Sequence, residues 1–149
     1  MNCTVDASVF VAAARPSEAQ HRASVAFLRF VQAQGATIVS PAIVLPESAA
    51  AIARPTGDEG LARGVIAEMR QLPNVRLVFV DQALALEASA IAIAQRLRGA
   101  DSVYVAVAQT FGATLVTWDS EMLERAAPAA VARTPSDWLE QQEAGAAAD

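Results

Sequence analysis

Four acidic residues stand at positions in the chain where a carboxylate can take part in chemistry; they are Asp6, Glu47, Asp101 and Asp119. Asp6 ends the short β-type run NCTVD, and Asp119 directly follows a second such run, TLVTW. In open parallel sheets, ligands bind outside the carboxyl ends of the strands, near the point where the strand order reverses. We therefore expect these two carboxylates to face a crevice that a ligand can enter.

The other two carboxylates stand out against apolar surroundings. Glu47 is the one charge in the segment AIVLPESAAAI, in which Ser48 is its only polar neighbour. A helix face exposed to solvent would carry more polar residues, so this pattern favours a side chain directed into a polar site. Asp101 begins a helix whose later residues, VYVAVA, are apolar on nearly every side, and the helix N-terminus helps to keep a carboxylate ionised.

Each of these residues also has an ordinary structural interpretation. Asp6 and Asp119 can cap the helices that follow them, and Asp101 can cap the helix that it begins. Glu47 can lie on a solvent-facing stripe of its helix. The residues alone leave both interpretations open.

If the four carboxylates meet, their chemistry is that of a site for divalent cations. Hard cations such as Mg²⁺ and Mn²⁺ prefer oxygen ligands, and they usually keep several waters beside one or two carboxylates. Two such ions, roughly 3.5–4 Å apart, can activate a water and stabilise the leaving oxygen when a phosphodiester is cleaved. Clustered carboxylates raise one another's pKa values, so a bound cation should stabilise the site.

The rest of the composition excludes several other kinds of chemistry. Lysine is absent and all eleven basic residues are arginine, which removes Schiff-base chemistry and the P-loop lysine. The single histidine, His21, leaves little room for a Ser-His-Asp triad or a histidine-rich zinc site. The net charge of −5 argues against electrostatic wrapping of nucleic acid, although bound metal ions would reverse the local sign.

The same composition bears on the compartment. No apolar run approaches the roughly 18–20 residues that span a bilayer, and no basic segment precedes an apolar stretch at the N-terminus. The single cysteine, Cys3, cannot form an internal disulfide. We therefore expect a cytoplasmic protein without a membrane segment.

Short β-type runs alternate with longer helical runs, which is the pattern of a parallel sheet covered by helices. Strands are predicted over residues 2–6, 37–40, 74–80 and 114–118, with a short fifth strand over 130–133. Helices are predicted over residues 8–14, 17–34, 41–54, 81–98, 99–111, 120–126 and 134–142. A further helix, between those at 41–54 and 81–98, is predicted to begin at Asp58 as its N-cap. One domain is expected over residues 1–142, and the tail 143–149 should fray because it has nothing to pack against.

At the acidic residues the chain resembles the PIN domain family, specifically the single-domain VapC-like toxins of bacterial toxin–antitoxin pairs. The matching segments are VDASVFVAA (5–13), PESAAAIAR (46–54), RGADSVYVAVAQ (98–109) and GATLVTWDSEML (112–123). No single motif is specific, but four in this order and spacing are a strong signal. The resemblance covers nearly the whole predicted domain.

The resemblance implies an α/β class fold, a three-layer α/β/α sandwich around a central parallel sheet of four to five strands. It also implies an endoribonuclease dependent on Mg²⁺ or Mn²⁺, in which Asp6, Glu47 and Asp101 are the core acidic residues and Asp119 the more variable fourth. The implied partners are an RNA substrate and an antitoxin, typically a DNA-binding dimer whose C-terminal segment lies across the toxin cleft. Homodimerisation is common in the family.

Several further residues are candidates for supporting roles. Ser8 fills the small polar position that the family has near the first aspartate, and Thr117 and Ser120 can orient a metal-bound water or serve only as helix-cap hydroxyls. Three arginines near the site segments can hold RNA phosphates as bidentate donors, or can be ordinary surface residues at helix ends; they are Arg15, Arg54 and Arg98.

Three other functions compete with a ribonuclease. A catalytically silent protein-binding module would keep the fold and use the cleft only for a partner, but the acidic set is intact. A phosphotransfer enzyme with Asp6 as nucleophile would need an acidic or lysine helper, whereas position 8 is serine and lysine is absent. A nuclease acting on single-stranded DNA stays possible, because the preference for RNA rests on the resemblance alone.

Overall fold

A five-stranded parallel sheet forms the centre of the structure, a computed structural model that describes residues 1–149. Its strands in chain order are β1 (Asn2–Val5), β2 (Thr37–Pro41), β3 (Val75–Val78), β4 (Thr114–Val116) and β5 (Ala132–Arg133). All four neighbouring pairs are parallel, and the order across the sheet is β3-β2-β1-β4-β5. The predicted parallel sheet of four to five strands is therefore confirmed.

The strand order reverses beside β1. The chain moves from β1 to β2 and β3 on one side and then returns to β4 and β5 on the other side. This reversal opens a crevice at the carboxyl ends of β1 and β4, which is where open parallel sheets bind ligands. Asp6 follows β1 at this point, and residues 117–119 follow β4.

Eight helices connect and cover the strands. They are α1 (Ala7–Ala14), α2 (His21–Ala33), α3 (Val44–Thr56), α4 (Glu59–Gln71), α5 (Gln82–Gln95), α6 (Gly99–Phe111), α7 (Ser120–Arg125) and α8 (Pro135–Ala148). Right-handed crossovers place the helices of the outward path (α1–α4) on one face of the sheet and those of the return path (α5 and α6) on the other. The result is the three-layer α/β/α sandwich that was expected. None of the eight helices combines the length and the apolar character that a membrane-spanning helix requires.

Helix α6 is the most deeply buried helix and fixes one part of the site. It packs against β1, β2 and β4 and carries a continuous buried stretch from Tyr104 to Ala108. This explains why the segment VYVAVA is apolar on all sides. Gly112 ends the helix in the left-handed conformation, with φ of 58°, as its position in the sequence predicts. Because α6 is held by three strands, the acidic residue in its first turn has a fixed place.

The structure corrects several predicted boundaries. The second helix begins at His21 rather than at residue 17, because the preceding residues form turns in which the Glu18 N–H bonds the Arg15 carbonyl. Pro41 ends a strand rather than beginning a helix, since the Ala42 N–H still bonds the Val78 carbonyl of the neighbouring strand. The tail that was expected to fray continues the last helix to Ala148, in keeping with the high helix propensity of alanine.

Candidate active site

Asp6 lies at the carboxyl end of β1 and is 7% exposed. Its backbone N–H bonds the Val116 carbonyl on β4, which extends the strand pairing by one residue. Its side chain caps α1, with Oδ2 accepting from the Ser8 N–H at 3.4 Å, and the same oxygen accepts from the Thr117 hydroxyl at 2.9 Å. The two interpretations of Asp6 therefore coexist: one oxygen caps the helix, while Oδ1 has no hydrogen-bond partner in the chain.

The hydroxyls of Thr117 and Ser8 join the ends of the two central strands. Thr117 is fully buried, donates to Asp6 and accepts from the Asp119 N–H at 3.0 Å. Ser8 Oγ accepts from the Trp118 N–H at 3.1 Å and lies 3.5 Å from Thr117 Oγ1. Both hydroxyls thus fix the turn after β4 against Asp6. The Ser120 side chain is exposed and makes no hydrogen bond, so it takes no part in this network.

Glu47 lies in the first turn of α3 and is held by a residue that the sequence interpretation did not select. The hydroxyl of Tyr104, a fully buried residue of α6, donates to Glu47 Oε1 at 2.5 Å. Burial raises the pKa of Glu47, the Tyr104 hydrogen bond opposes this, and the charges of Asp6 and Asp101 add to the increase. Burial, together with the charges of Asp6 and Glu47, also raises the pKa of Tyr104. The available signal was that the only tyrosine of the chain interrupts an aliphatic stretch three residues after Asp101.

Asp101 and Asp119 are joined by Arg98. Asp101 is 8% exposed, and burial raises its pKa, with contributions from Asp119 and Asp6 that Arg98 opposes. Arg98 Nε donates to Asp101 Oδ2 at 2.9 Å, and Nη2 donates to Asp119 Oδ2 at 2.7 Å. Asp119 Oδ1 accepts from the Met122 N–H at 2.9 Å and so caps α7. Asp119 is therefore the helix cap that its position in the sequence allowed, and its other oxygen faces Arg98 and the acidic residues.

Four separate segments thus bring their carboxylates to one crevice at the carboxyl edge of the sheet. The charges of Asp6 and Asp101 raise the pKa of Glu47, and the charges of Asp119 and Asp6 raise the pKa of Asp101, so the carboxylates in the crevice repel one another. Each of these three keeps one oxygen without a hydrogen-bond partner. The atoms that these carboxylates offer to a ligand are all oxygens, and the repulsion between their charges favours a bound cation. The four acidic side chains therefore fit Mg²⁺ or Mn²⁺. As the side chains stand, no three acidic residues are placed as ligands of a single ion.

The three candidate arginines lie in different settings. Arg15 forms an ion pair with Glu18 at 3.2 Å, and Arg98 lies within the acidic cluster. Arg54 is exposed near the end of α3, makes no ion pair, and lines a shallow depression together with Glu47. Arg54 is therefore the one whose guanidinium is free to meet an anionic ligand beside the carboxylates.

The comparisons with known proteins agree with this architecture. The model of the PIN domain family matches residues 3–128. No curated protein matches the chain in sequence. Among solved structures, the chain is similar to VapBC2 from Rickettsia felis bound to a DNA fragment from its promoter, with a TM-score of 0.70, 14% identity, and coverage of 90% of this chain and 98% of that chain.

Two further structures have similar folds. The chain resembles VapC20 from Mycobacterium tuberculosis, described as a sarcin-ricin loop cleaving toxin, with a TM-score of 0.67, 19% identity, and coverage of 82% of this chain and 93% of that chain. It also resembles FitAcB from Neisseria gonorrhoeae, with a TM-score of 0.67, 20% identity, and coverage of 91% and 99%. At these identities the likeness concerns the fold.

Proposed function

The chain belongs to the PIN domain family, and from this premise we propose that it is a divalent-metal-dependent endoribonuclease and the toxin of a toxin–antitoxin pair. The observation that carries the proposal is the meeting of four carboxylates at the point where the strand order reverses. A binding module would have no need of mutually repelling acidic side chains at this position, since their repulsion costs stability. A nuclease gains from them, because they supply the oxygen ligands of a metal ion.

Asp6, Glu47 and Asp101 would hold the metal, each through the oxygen that has no partner in the chain, after side-chain movements that bring these oxygens to one ion. Asp119 would be the fourth acidic residue. A bound Mg²⁺ or Mn²⁺ supplies an activated water and neutralises charge on the scissile phosphate. The protein's own part is to hold the carboxylates in place. Thr117 and the Ser8 N–H fix Asp6, and the Tyr104 hydroxyl fixes Glu47.

RNA is the proposed substrate. One structural neighbour is described as a toxin that cleaves the sarcin-ricin loop, and we extend this class of substrate to the present chain. Arg54 lies beside Glu47 with a free guanidinium, so it is the first candidate to hold an RNA phosphate. Arg15 is engaged by Glu18 and is a weaker candidate.

The test is cleavage of end-labelled RNA by the purified chain. We expect cleavage with Mg²⁺ or Mn²⁺, none with EDTA, and recovery when metal is restored. Asp101→Asn should lower the rate by about a hundredfold or more, because changing even an outer-shell partner typically costs about 10–100-fold. Asp137→Asn, at an exposed position on α8, is the matched control. Cleavage of single-stranded DNA but not RNA, or an unimpaired Asp101→Asn protein, would contradict the proposal.

The proposed partner is an antitoxin. Two structural neighbours are described as complexes bound to DNA, VapBC2 on a promoter fragment and FitAB on the IR36 fragment, and a third as a toxin–antitoxin complex from Klebsiella pneumoniae. We expect a short reading frame next to this gene to encode a DNA-binding protein. Co-expression should give a stable complex that cleaves RNA more slowly than the free chain. Separate elution of the two proteins would refute this partner.

A homodimer is also proposed. Three large apolar side chains at the end of β3 and on α5 are strongly exposed: Phe79 at 87%, Leu86 at 64% and Ile93 at 81%. Leu86 and Ile93 are seven residues apart on α5 and so share one face of that helix, which forms an exposed apolar patch that a second copy can cover. Light scattering should give twice the mass of the chain.

A further inference from the structure

Arg98 is the only basic residue that contacts the acidic cluster. It lies immediately before α6 and donates through two different nitrogens to two different carboxylates, Asp101 at 2.9 Å and Asp119 at 2.7 Å. The guanidinium therefore lies between two of the four acids. Its side chain remains 64% exposed, so it can move away without disturbing the core.

The hydrogen bonds of Asp119 show which of its two oxygens depends on Arg98. Oδ1 of Asp119 accepts from the Met122 backbone N–H, which the geometry of α7 fixes in place, and Oδ2 accepts from Arg98. Each oxygen of Asp119 therefore has a hydrogen-bond donor, and the donor on Oδ2 is a cation. Asp101 differs, because Arg98 takes Oδ2 and leaves Oδ1 without a partner. A movement of Arg98 would remove the positive charge from Asp119 Oδ2 and open that oxygen to another cation, while the helix cap on Oδ1 stays intact.

We propose that Arg98 is an internal counter-cation that competes with the divalent metal for Asp101 and Asp119. While Arg98 bridges the two acids, it screens their repulsion and keeps Asp119 out of the metal site. Once a metal ion binds, the guanidinium has to leave, because a single and a double positive charge repel each other at contact distance. This inference rests on the proposed metal-dependent function.

Titration with Mn²⁺ by calorimetry, at constant pH and ionic strength, tests the competition directly. Arg98→Gln removes the competing charge and should bind Mn²⁺ about tenfold more tightly than the wild type, equivalent to about 1.4 kcal/mol. Arg98→Lys should lie between the two, because an ammonium group cannot bridge both carboxylates as the guanidinium does. Arg29→Gln removes the same charge from an exposed position on α2 that makes no ion pair, and should bind like the wild type.

Thermal denaturation provides a second readout that does not depend on activity. In EDTA, Arg98→Gln should melt at a lower temperature than the wild type, because the repulsion between Asp101 and Asp119 is no longer screened. Added Mn²⁺ should then raise the melting temperature of Arg98→Gln by more than that of the wild type. In an Asp119→Asn background, the gain in Mn²⁺ affinity from Arg98→Gln should shrink, since Arg98 then competes at one carboxylate instead of two.

The outcomes separate this inference from the proposed function. If the wild type binds Mn²⁺, Asp101→Asn does not, and Arg98→Gln binds no more tightly than the wild type, the competition is refuted while the metal site stands. Weaker binding by Arg98→Gln would also refute it and would make Arg98 a residue that positions the acids for metal. If neither the wild type nor Arg98→Gln binds Mn²⁺, both proposals are overturned.

Discussion

Replacing Glu47 with glutamine should stabilise the protein when divalent metal is chelated. Burial and the charges of Asp6 and Asp101 raise the pKa of Glu47 in the folded chain. A raised pKa means that the ionised carboxylate is less favourable in the folded state than in the unfolded state, so at neutral pH it costs stability. Glutamine removes the charge but keeps an oxygen that can accept from the Tyr104 hydroxyl.

The magnitude follows from opposing contributions. Repulsion between two unit charges at about 4 Å ranges from about 1 kcal/mol in water to about 4 kcal/mol near a protein surface, and it falls with distance. Glu47 has two such neighbours, but Arg98 offsets part of their effect. The N-terminus of α3 also favours a negative charge in its first turn, by roughly 0.3–1 kcal/mol. We expect a net gain of about 1 kcal/mol, or a rise in melting temperature of about 2–4 °C for a chain of this size.

The assay is thermal or urea denaturation of both proteins, first in EDTA and then in Mn²⁺. In EDTA the Glu47→Gln protein should be the more stable. A metal concentration 100 times its dissociation constant should stabilise the wild type by about 2.7 kcal/mol and so reverse the order, because the variant has lost a ligand. Glu68→Gln, at an exposed position on α4, should stay within about 0.5 kcal/mol of the wild type in both conditions.

Two results would refute this reasoning. If Glu47→Gln is less stable than the wild type in EDTA, the ionised carboxylate of Glu47 does not destabilise the folded state. If Mn²⁺ stabilises the two proteins equally, Glu47 is not a metal ligand.

Three further predictions test other features of the structure. Tyr104→Phe removes a hydrogen bond to a carboxylate and should cost about 1.5–3 kcal/mol of unfolding free energy in urea titrations, with weaker Mn²⁺ binding by calorimetry. Burial raises the pKa of the fully buried Cys3 thiol to about 12. A disulfide reagent at pH 8 should therefore leave Cys3 unmodified in the folded protein and label it completely in urea. Rapid labelling without denaturant would contradict the buried position of Cys3. Ile93→Glu places a charge in the exposed apolar patch and should shift the protein from dimer to monomer in light scattering with unchanged circular dichroism; a wild type that is already monomeric would refute the dimer.

The positions of the acidic residues along the fold could be predicted because local signals mark them. Asp6 and Asp119 follow runs with β propensity, and the bounds of α6 are set by Gly99, Gly112 and the apolar residues between them. A parallel sheet then brings the ends of its strands to one edge whatever their order. The meeting of Asp6 and Asp119 therefore followed from local patterns and a general rule of folds, whereas the approach of Glu47 and Asp101 depends on how α3 and α6 pack.

The contacts that hold the carboxylates could not be predicted in the same way. Tyr104 and Glu47 are 57 residues apart and Thr117 and Asp6 are 111 apart, so their hydrogen bonds depend on how α6 and β4 pack against their neighbours. Arg98 was selected as a contact for RNA phosphate, but the structure places it on two carboxylates. Long side chains have many rotamers, and the charge around them decides which one is adopted.

The pairing of β1 with β4 has a consequence for synthesis on the ribosome. The register joins Cys3 to Thr114 and Val5 to Val116, so the two strands that precede Asp6 and Asp119 are synthesised far apart in time. A nascent chain that stops before β4 has emerged has Asp6, Glu47 and Asp101 but lacks Thr117, which holds Asp6 in place. The site therefore forms only after β4 has left the ribosome, and a fragment released before that point lacks the contact that orients Asp6.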